Sequence, residues 1–235
     1  MPAPTAVFDL DGTLVDTAPD LLDSLNHCLV SEGMSPVAPT DLRHLVGMGG
    51  RVMIERAFSE QRRPIDARTL DRLLILFLEH YSANIPGRSQ PFPGACEAMD
   101  RLAAAGFRLA VCTNKYEGLS VSLLTALGLA PRFAAICGAD TFAFRKPDPR
   151  HLLETVERAG GDPLEAIMIG DSRTDIDTAR AAGVPVIAVD FGYTDQPVEV
   201  FSPTAVISHF NELTVENVLQ LIEAFSGGPR RASRI

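Results

Sequence analysis

Phe8-Asp9-Leu10-Asp11-Gly12-Thr13 decides how this chain is read. It ends a short apolar run, Thr5-Ala-Val-Phe8, with two aspartates at i and i+2 and a glycine turn. Such a run, bounded by a turn, predicts a buried strand. Strand alternation sets Asp9 and Asp11 on one side of the chain. Two carboxylates this close repel unless positive charge lies between them. A divalent cation that prefers oxygen ligands, Mg2+, meets that need. Alone, the stretch could equally be an Asp-Gly turn after a strand.

From Gly94 onward, short apolar runs alternate with helical patterns. The runs are Leu109–Cys112, Ala134–Cys137, Ala166–Ile169 and Pro185–Val189; the helical patterns are Leu119–Leu127, His151–Ala159 and Ile176–Ala182. That alternation predicts βαβ units and an α/β fold with a buried parallel sheet. In such sheets ligands gather at the carboxyl ends of strands. Residues 17–90 break the rhythm and read as helix after helix. Pro19 suits a first turn, Leu21, Leu22, Leu25, Cys28 and Leu29 share a face, and Leu70, Leu73, Leu74, Phe77 and Leu78 repeat the helical period. The predicted organisation is a core of 1–16 and 91–225, an all-helical insert of 17–90 and a flexible tail of 226–235. Two crossings, Val15–Pro19 and Gly87–Gly94, would form a hinge.

Two further strand ends, and a loop between them, carry polar groups. Thr113-Asn114 follows one, and Gly170-Asp171-Ser172-Arg173-Thr174-Asp175 follows another. Between them lies Arg145-Lys146-Pro147-Asp148, a lysine in a proline-stiffened loop. Each has a plain reading as turn, helix cap or solvated side chain. Together, in this order, the four stretches resemble the motifs of the haloacid dehalogenase superfamily of phosphatases. The resemblance spans nearly the whole chain, and the insert stands where that superfamily carries a helical cap. Thr113-Asn114-Lys115, Arg145-Lys146-Pro147, Gly170-Asp171-Ser172-Arg173-x-Asp175 and Phe191-Gly192-Tyr193 are most similar to its phosphoglycolate phosphatase group.

The resemblance implies a doubly wound parallel sheet of order 3-2-1-4-5, the Asp9 strand central, with the helical cap closing over it. It implies Mg2+-dependent hydrolysis of a small phosphomonoester through an aspartyl-phosphate. Asp9 would be the nucleophile and Asp11 the acid and base. Thr113 would hold phosphoryl oxygens and Lys146 would offset their charge. Asp9, Asp171 and the Asp11 backbone carbonyl would ligate the metal. Asp175 would either reach it through water or orient Lys146, and the second is preferred. Asn114 is added as a substrate contact.

Single residues sort the relatives. Halide displacement needs no acid, so Asp11 favours an oxygen leaving group. No lysine lies between Asp16 and Gln90, so a Schiff base on the insert is excluded. Substrate choice is expected from Gly47-Met48-Gly49-Gly50-Arg51 and from Lys115. A glycine turn before a helix offers N–H groups to an anion, and Arg51 could grip a carboxylate. The expected substrate is 2-phosphoglycolate. The alternatives are another small phosphorylated acid or sugar, pyrophosphate, a phosphomutase reaction, or a phospho-acceptor that does not hydrolyse.

The 235 residues hold 30 Asp and Glu against 21 Lys and Arg, a formal charge of −9, which argues against a nucleic-acid partner. The longest apolar run, Leu73–Leu78, is far short of the roughly 20 residues a membrane span needs. Met1–Thr5 has no basic leader region. Cys28, Cys96, Cys112 and Cys137 form no CxxC pair and read as free thiols. The expectation is a cytoplasmic monomer or homodimer whose partner is a small phosphorylated metabolite. Nineteen of the 21 basic residues are Arg; the only Lys are Lys115 and Lys146.

Overall fold

The computed structural model describes residues 3–38, 49–194 and 196–226. The strands, in chain order, are β1 (Thr5–Phe8), β2 (Val15–Asp16), β3 (Gln90–Pro91), β4 (Arg108–Cys112), β5 (Ala135–Cys137), β6 (Ala166–Gly170), β7 (Val186–Val189) and β8 (Ala205–Ile207). Six form one sheet of order β5-β4-β1-β6-β7-β8, and every pairing in it is parallel. Its first five strands in chain order stand as 3-2-1-4-5, as expected, with the Asp9 strand inside. The sixth, β8, extends the edge beyond β7. At three residues it is too short to carry a period, so the sequence did not reveal it.

All four residues of β1 are buried. A strand covered on both faces reads as a continuous apolar run rather than an alternating one. Alternate residues still serve different cores. Phe8, Val111 and Ile169 face one cluster, while Val7, Ala110, Cys112 and Met168 face the other.

The helices are α1 (Ala18–Ser31), α2 (Gly50–Glu60), α3 (Ala67–Ala83), α4 (Ala95–Ala104), α5 (Glu117–Ala126), α6 (Pro149–Arg158), α7 (Arg173–Ala182) and α8 (Val215–Ser226). The first three lie between β2 and β3. The predicted apolar face of α1 is buried throughout. In α3, Leu70, Leu73, Phe77 and Tyr81 are buried at helical spacing, and the Asp66 side chain caps the first turn by accepting from Thr69 N at 2.7 Å. Residues 47 and 48 of the predicted glycine turn lie outside the described residues, as do residues 227–235 of the predicted tail. Cys28, Cys112 and Cys137 are buried free thiols, and burial pushes Cys112 up to about 12. Among the described residues no helix is long and apolar enough to cross a membrane.

Both crossings are ordered by specific bonds. β2 and β3 pair antiparallel, Val15 with Pro91 and Asp16 with Gln90, so the chain leaves and re-enters the sheet layer at one point. Beside this ribbon, the buried Asp20 carboxylate accepts from Arg88 N at 2.9 and 3.0 Å. It also accepts from Ser89 N at 2.8 Å and Ser89 Oγ at 2.5 Å. Gly87 takes φ +55°, and a Cβ there would stand 2.5 Å from Asp20 Oδ1. The second crossing is thus folded around one carboxylate at the start of α1. Asp20→Ala strands three donors, at a cost of about 3 kcal/mol. A lowered urea midpoint with unchanged slope is the expected result.

Candidate active site

The sheet register brings the motif residues together. Phe8 is level with Val111 on one side and Ile169 on the other. Asp9 therefore leaves the sheet between the ends of β4 and β6, which continue into Thr113 and Asp171. Asp9 N donates to Ile169 O at 2.9 Å. After Asp9 the chain turns back on itself, with the N–H groups of Leu14 and Val15 both reaching Leu10 O at 3.0 Å. That turn carries Asp11 and ends in β2.

Lys146 lies within this acidic group. Its side chain is 2% exposed, with Nζ 2.6 Å from Asp175 Oδ1 and 2.9 Å from Asp9 Oδ1. The Asp9 contact is an ion pair without hydrogen-bond alignment, so this buried oxygen accepts no hydrogen bond. Burial opposes the ammonium charge, but Asp175 and Asp9 outweigh it and hold Lys146 above its ordinary value. The loop carrying Lys146 is fixed at its backbone. Asn114 Nδ2 donates to Lys146 O at 3.0 Å, and Lys146 N donates to His151 Nδ1 at 3.2 Å. Burial, then the nearby Lys146 charge, push His151 down to about 4, which keeps that nitrogen an acceptor.

Asp175 occupies the first turn of α7. Its Oδ2 accepts from Ser172 N at 3.1 Å and Ser172 Oγ at 2.6 Å, completing a capping box. Ser172, not Asp171, is therefore the cap. Asp171 is 1% exposed, and its Oδ1 accepts from Thr13 Oγ1 at 2.9 Å and its Oδ2 from Tyr193 N at 2.7 Å. A Cβ on Gly12 or Gly192 would stand 2.4 Å from Asp171 Oδ2 or 2.2 Å from Asp171 Cβ. Only glycine lets backbone approach this closely.

Asp11 has its own set of partners. Oδ1 accepts from Thr17 Oγ1 at 2.7 Å and from Lys115 Nζ at 3.0 Å; Oδ2 lies 3.2 Å from the same ammonium. Lys115 is 5% exposed at its side chain and lies under the ring of Tyr81 from α3, 4.2 Å from its centroid. Asp11 and Tyr81 together overcome the burial penalty and raise Lys115 above its ordinary value. Thr113 Oγ1 accepts from Lys115 N at 3.2 Å, which leaves its own hydrogen for another acceptor. Arg51 and Gly50 are not part of this network. Arg51 pairs with Asp71 on an exposed face of the insert, and Gly50 starts α2 against Phe77.

The predicted residues Asp9, Asp11, Thr113, Asn114, Lys115, Lys146, Asp171 and Asp175 thus form one connected cluster. Sequence reasoning gave no role to Thr13, Thr17, Ser172, His151, Tyr81 or Tyr193. Thr13 and Ser172 stood inside the quoted motifs, and Tyr193 inside a quoted stretch. Tyr81 gave no signal, being one more apolar position on a periodic helix.

Asp9, Asp171 and Asp175 each offer an oxygen, all within 4.8 Å of one another. Four carboxylates, counting Asp11, face two ammonium groups, which leaves two negative charges. The donors are all oxygen and the carboxylates outnumber the ammonium groups, so the cluster fits a hard divalent cation. Asp175 is the one of the three held by both Lys146 and the Ser172 cap.

The parallel sheet thus carries a carboxylate at the end of its inner strand with a buried lysine beside it. The family model described as haloacid dehalogenase-like hydrolase matches residues 6–189, and the chain belongs to that family. It is 62% identical over 224 residues to the phosphoglycolate phosphatase of Mesorhizobium japonicum, covering 95% of this chain and 99% of that protein. It is 55% identical over 212 residues to the phosphoglycolate phosphatase of Agrobacterium fabrum, covering 90% and 91%. Among solved structures, a predicted phosphoglycolate phosphatase from Haemophilus somnus superposes with TM-score 0.83 at 27% identity, covering 90% of this chain and 96% of that one.

The cluster makes stability depend on pH. Burial first, then carboxylate neighbours, push Asp171 up to about 8; burial, against the pull of Lys146, pushes Asp9 up to about 6. A carboxyl with a raised folded value binds more protons folded than unfolded, so stability falls as pH rises through that window. In EDTA, melting temperature is expected to fall between about pH 5 and pH 8. A divalent cation favours the ionised carboxylates and should remove that fall. Thermal scans across pH, with and without cation, measure both.

Proposed function

We propose that this protein is a Mg2+-dependent phosphatase acting on a small phosphomonoester, with 2-phosphoglycolate as its first substrate. The single observation that carries the phosphatase reading is Asp9 at the end of β1, held by Lys146 and flanked by Asp171 and Asp11. The substrate reading rests on the named relatives at 62% and 55% identity and on Lys115 beside Asp11. Mg2+ would be held by Asp9, Asp171 and the Asp11 carbonyl, and would offset charge on the transferring phosphoryl group.

The chain's own residues do the rest. An Asp9 oxygen attacks phosphorus and the bond to the substrate's oxygen breaks. Asp11 delivers a proton to that leaving oxygen, giving glycolate. Water then attacks the aspartyl-phosphate, its proton passes to Asp11, and phosphate leaves. Lys146 holds Asp9 in position and offsets charge, and Asp175 orients Lys146. Thr113 donates its hydroxyl hydrogen to a phosphoryl oxygen. Asn114 acts through the Lys146 loop. Phosphoryl transfer depends mainly on this positioning and charge balance.

Lys115 is the favoured reader of the substrate carboxylate. It stands 3.0 Å from Asp11, the group assigned to the leaving oxygen, and in 2-phosphoglycolate the carboxylate is two bonds from that oxygen. A substrate carboxylate that takes the ammonium releases Asp11 to move its proton. Arg51 and Gly50 stand second, because Arg51 is already paired with Asp71. Segment 17–90 would act as a cap that sheds water over a core of 1–16 and 91–225. A cytoplasmic monomer or homodimer without nucleic-acid partners agrees with charge −9 and the free thiols.

Phosphate release is to be measured with Mg2+ on 2-phosphoglycolate, sugar phosphates, nucleotides and pyrophosphate. The highest kcat/KM is expected for 2-phosphoglycolate, and Asp9→Asn should lower it at least about a thousandfold. A different best substrate overturns the substrate reading; full activity in EDTA overturns the metal reading. Lys115→Met should raise KM for 2-phosphoglycolate about 10- to 100-fold, from the loss of a charge-assisted bond, with a smaller effect on p-nitrophenyl phosphate. Arg51→Ala should change the two substrates alike.

A further inference from the structure

Tyr193 joins two parts of the molecule that the proposed reaction treats separately. It is 3% exposed and sits in the loop after β7. Its backbone N donates to Asp171 Oδ2 at 2.7 Å. Its hydroxyl donates to Asp16 Oδ1 and accepts from Ala18 N at 2.9 Å. Asp16 ends β2 and Ala18 begins α1, so both belong to the first crossing between sheet and insert. The ring also lies 6.4 Å from that of Phe92, which follows β3 in the second crossing.

The bond to Ala18 has a local reason. The first N–H groups of a helix need acceptors, and the residue before it supplies one through its side chain. Here that residue is Thr17, which makes no side-chain cap and donates its hydroxyl to Asp11. Tyr193 accepts from Ala18 N, the first of these groups. The start of the insert is therefore tied to Asp11 through Thr17 and to Asp171 through Tyr193.

The other end of the link has no slack. Gly12 and Gly192 approach Asp171 so closely that neither could carry a Cβ without collision. A shift of residues 192–193 must therefore shift Asp171 or break the bond from Tyr193 N. Packed elements of this kind transmit displacement instead of absorbing it.

We infer that Tyr193 is a positioning residue that couples the first insert crossing to the metal-holding carboxylate Asp171. Occupancy of Asp171 stiffens the crossing, and a displaced crossing weakens the hold on the cation. Linkage makes the two effects reciprocal. The inference rests on the metal assignment made above, but not on the identity of the substrate.

The test uses the full chain with Mg2+ alone, without turnover. Amide hydrogen exchange is followed at residues 14–22, and Mg2+ affinity is measured by calorimetry, in wild type, Tyr193→Phe and Asp16→Asn. In wild type, Mg2+ should slow exchange at Ala18. Tyr193→Phe keeps the ring and the backbone N–H but loses both hydroxyl bonds. Exchange at Ala18 should then be fast with or without Mg2+, and affinity should fall about tenfold, as for loss of a group that orients a ligand. Asp16→Asn keeps an accepting oxygen for the Tyr193 hydroxyl and should retain the Mg2+ response. If Tyr193→Phe retains the wild-type response and affinity, the coupling is overturned while the metal assignment stands. If wild type binds Mg2+ with no change at Ala18, the coupling is likewise overturned. If wild type binds no Mg2+, both fall, and p-nitrophenyl phosphate hydrolysis in EDTA then reports whether phosphatase activity survives without them.

Discussion

Lys146 carries its charge where almost no solvent reaches it, and two carboxylates, Asp9 and Asp175, make that possible. An isolated buried ammonium would give up its proton, and isolated buried carboxylates would take one. Held beside them, Lys146 keeps its proton, because Asp175 and Asp9 outweigh the burial of its ammonium. Much of the local architecture serves this arrangement. Asp175 is locked by Ser172 at the start of α7, Asp9 leaves the inner strand between its two neighbours, and the Lys146 loop is pinned by Asn114 and His151. An ammonium is compact enough to stand between two carboxylates. A guanidinium needs a planar, forked space that these contacts do not describe. In a chain that otherwise uses Arg, the two retained Lys are both buried ion-pair partners of motif aspartates.

The second Lys gives the site its polarity. Lys146 faces Asp9 and Lys115 faces Asp11, so each carboxylate of the Asp-x-Asp pair has its own cation. The Asp11 side is also where the insert makes contact, through Thr17 and through Tyr81 over Lys115. The Asp9 end of the cluster is therefore built from sheet and loop residues. The end assigned to the leaving group is shared with the helical segment, the natural place for specificity to reside.

The fold and the inner cluster were legible because strand ends leave marks. A short apolar run that stops at Asp, Thr-Asn or Gly-Asp reports both a strand and the polar groups at its carboxyl end. The five predicted strands were legible as short apolar runs between turn residues, and their order came from the resemblance that the strand-end motifs carry. β8 was not legible, because Ala205–Ile207 is three residues long and only half-buried over two of them. The helix at Ala67–Ala83 was legible as a helix, but the contact of Tyr81 with Lys115 was not. Periodicity reports which face of a helix is buried, not what it is buried against. The pairing of Arg51 with Asp71, 20 residues along the same insert, was likewise not legible, because the glycine turn before Arg51 says nothing of its partner.

The β2–β3 ribbon is only two residues long on each side, yet it governs what evolution can do with this chain. Asp16 and Gln90 are paired neighbours, so the segment between them begins and ends within about 5 Å. Closing that loop costs the sheet the same whether the segment is long or short, apart from a slowly growing entropy. Neither the register of β1 against β4 and β6 nor the carboxylates at their ends depends on its length. The whole segment is topologically a module, exchangeable for another set of helices or for a brief turn. Such an exchange would leave the strand register in place and would replace the contacts that Thr17 and Tyr81 make to Asp11 and Lys115.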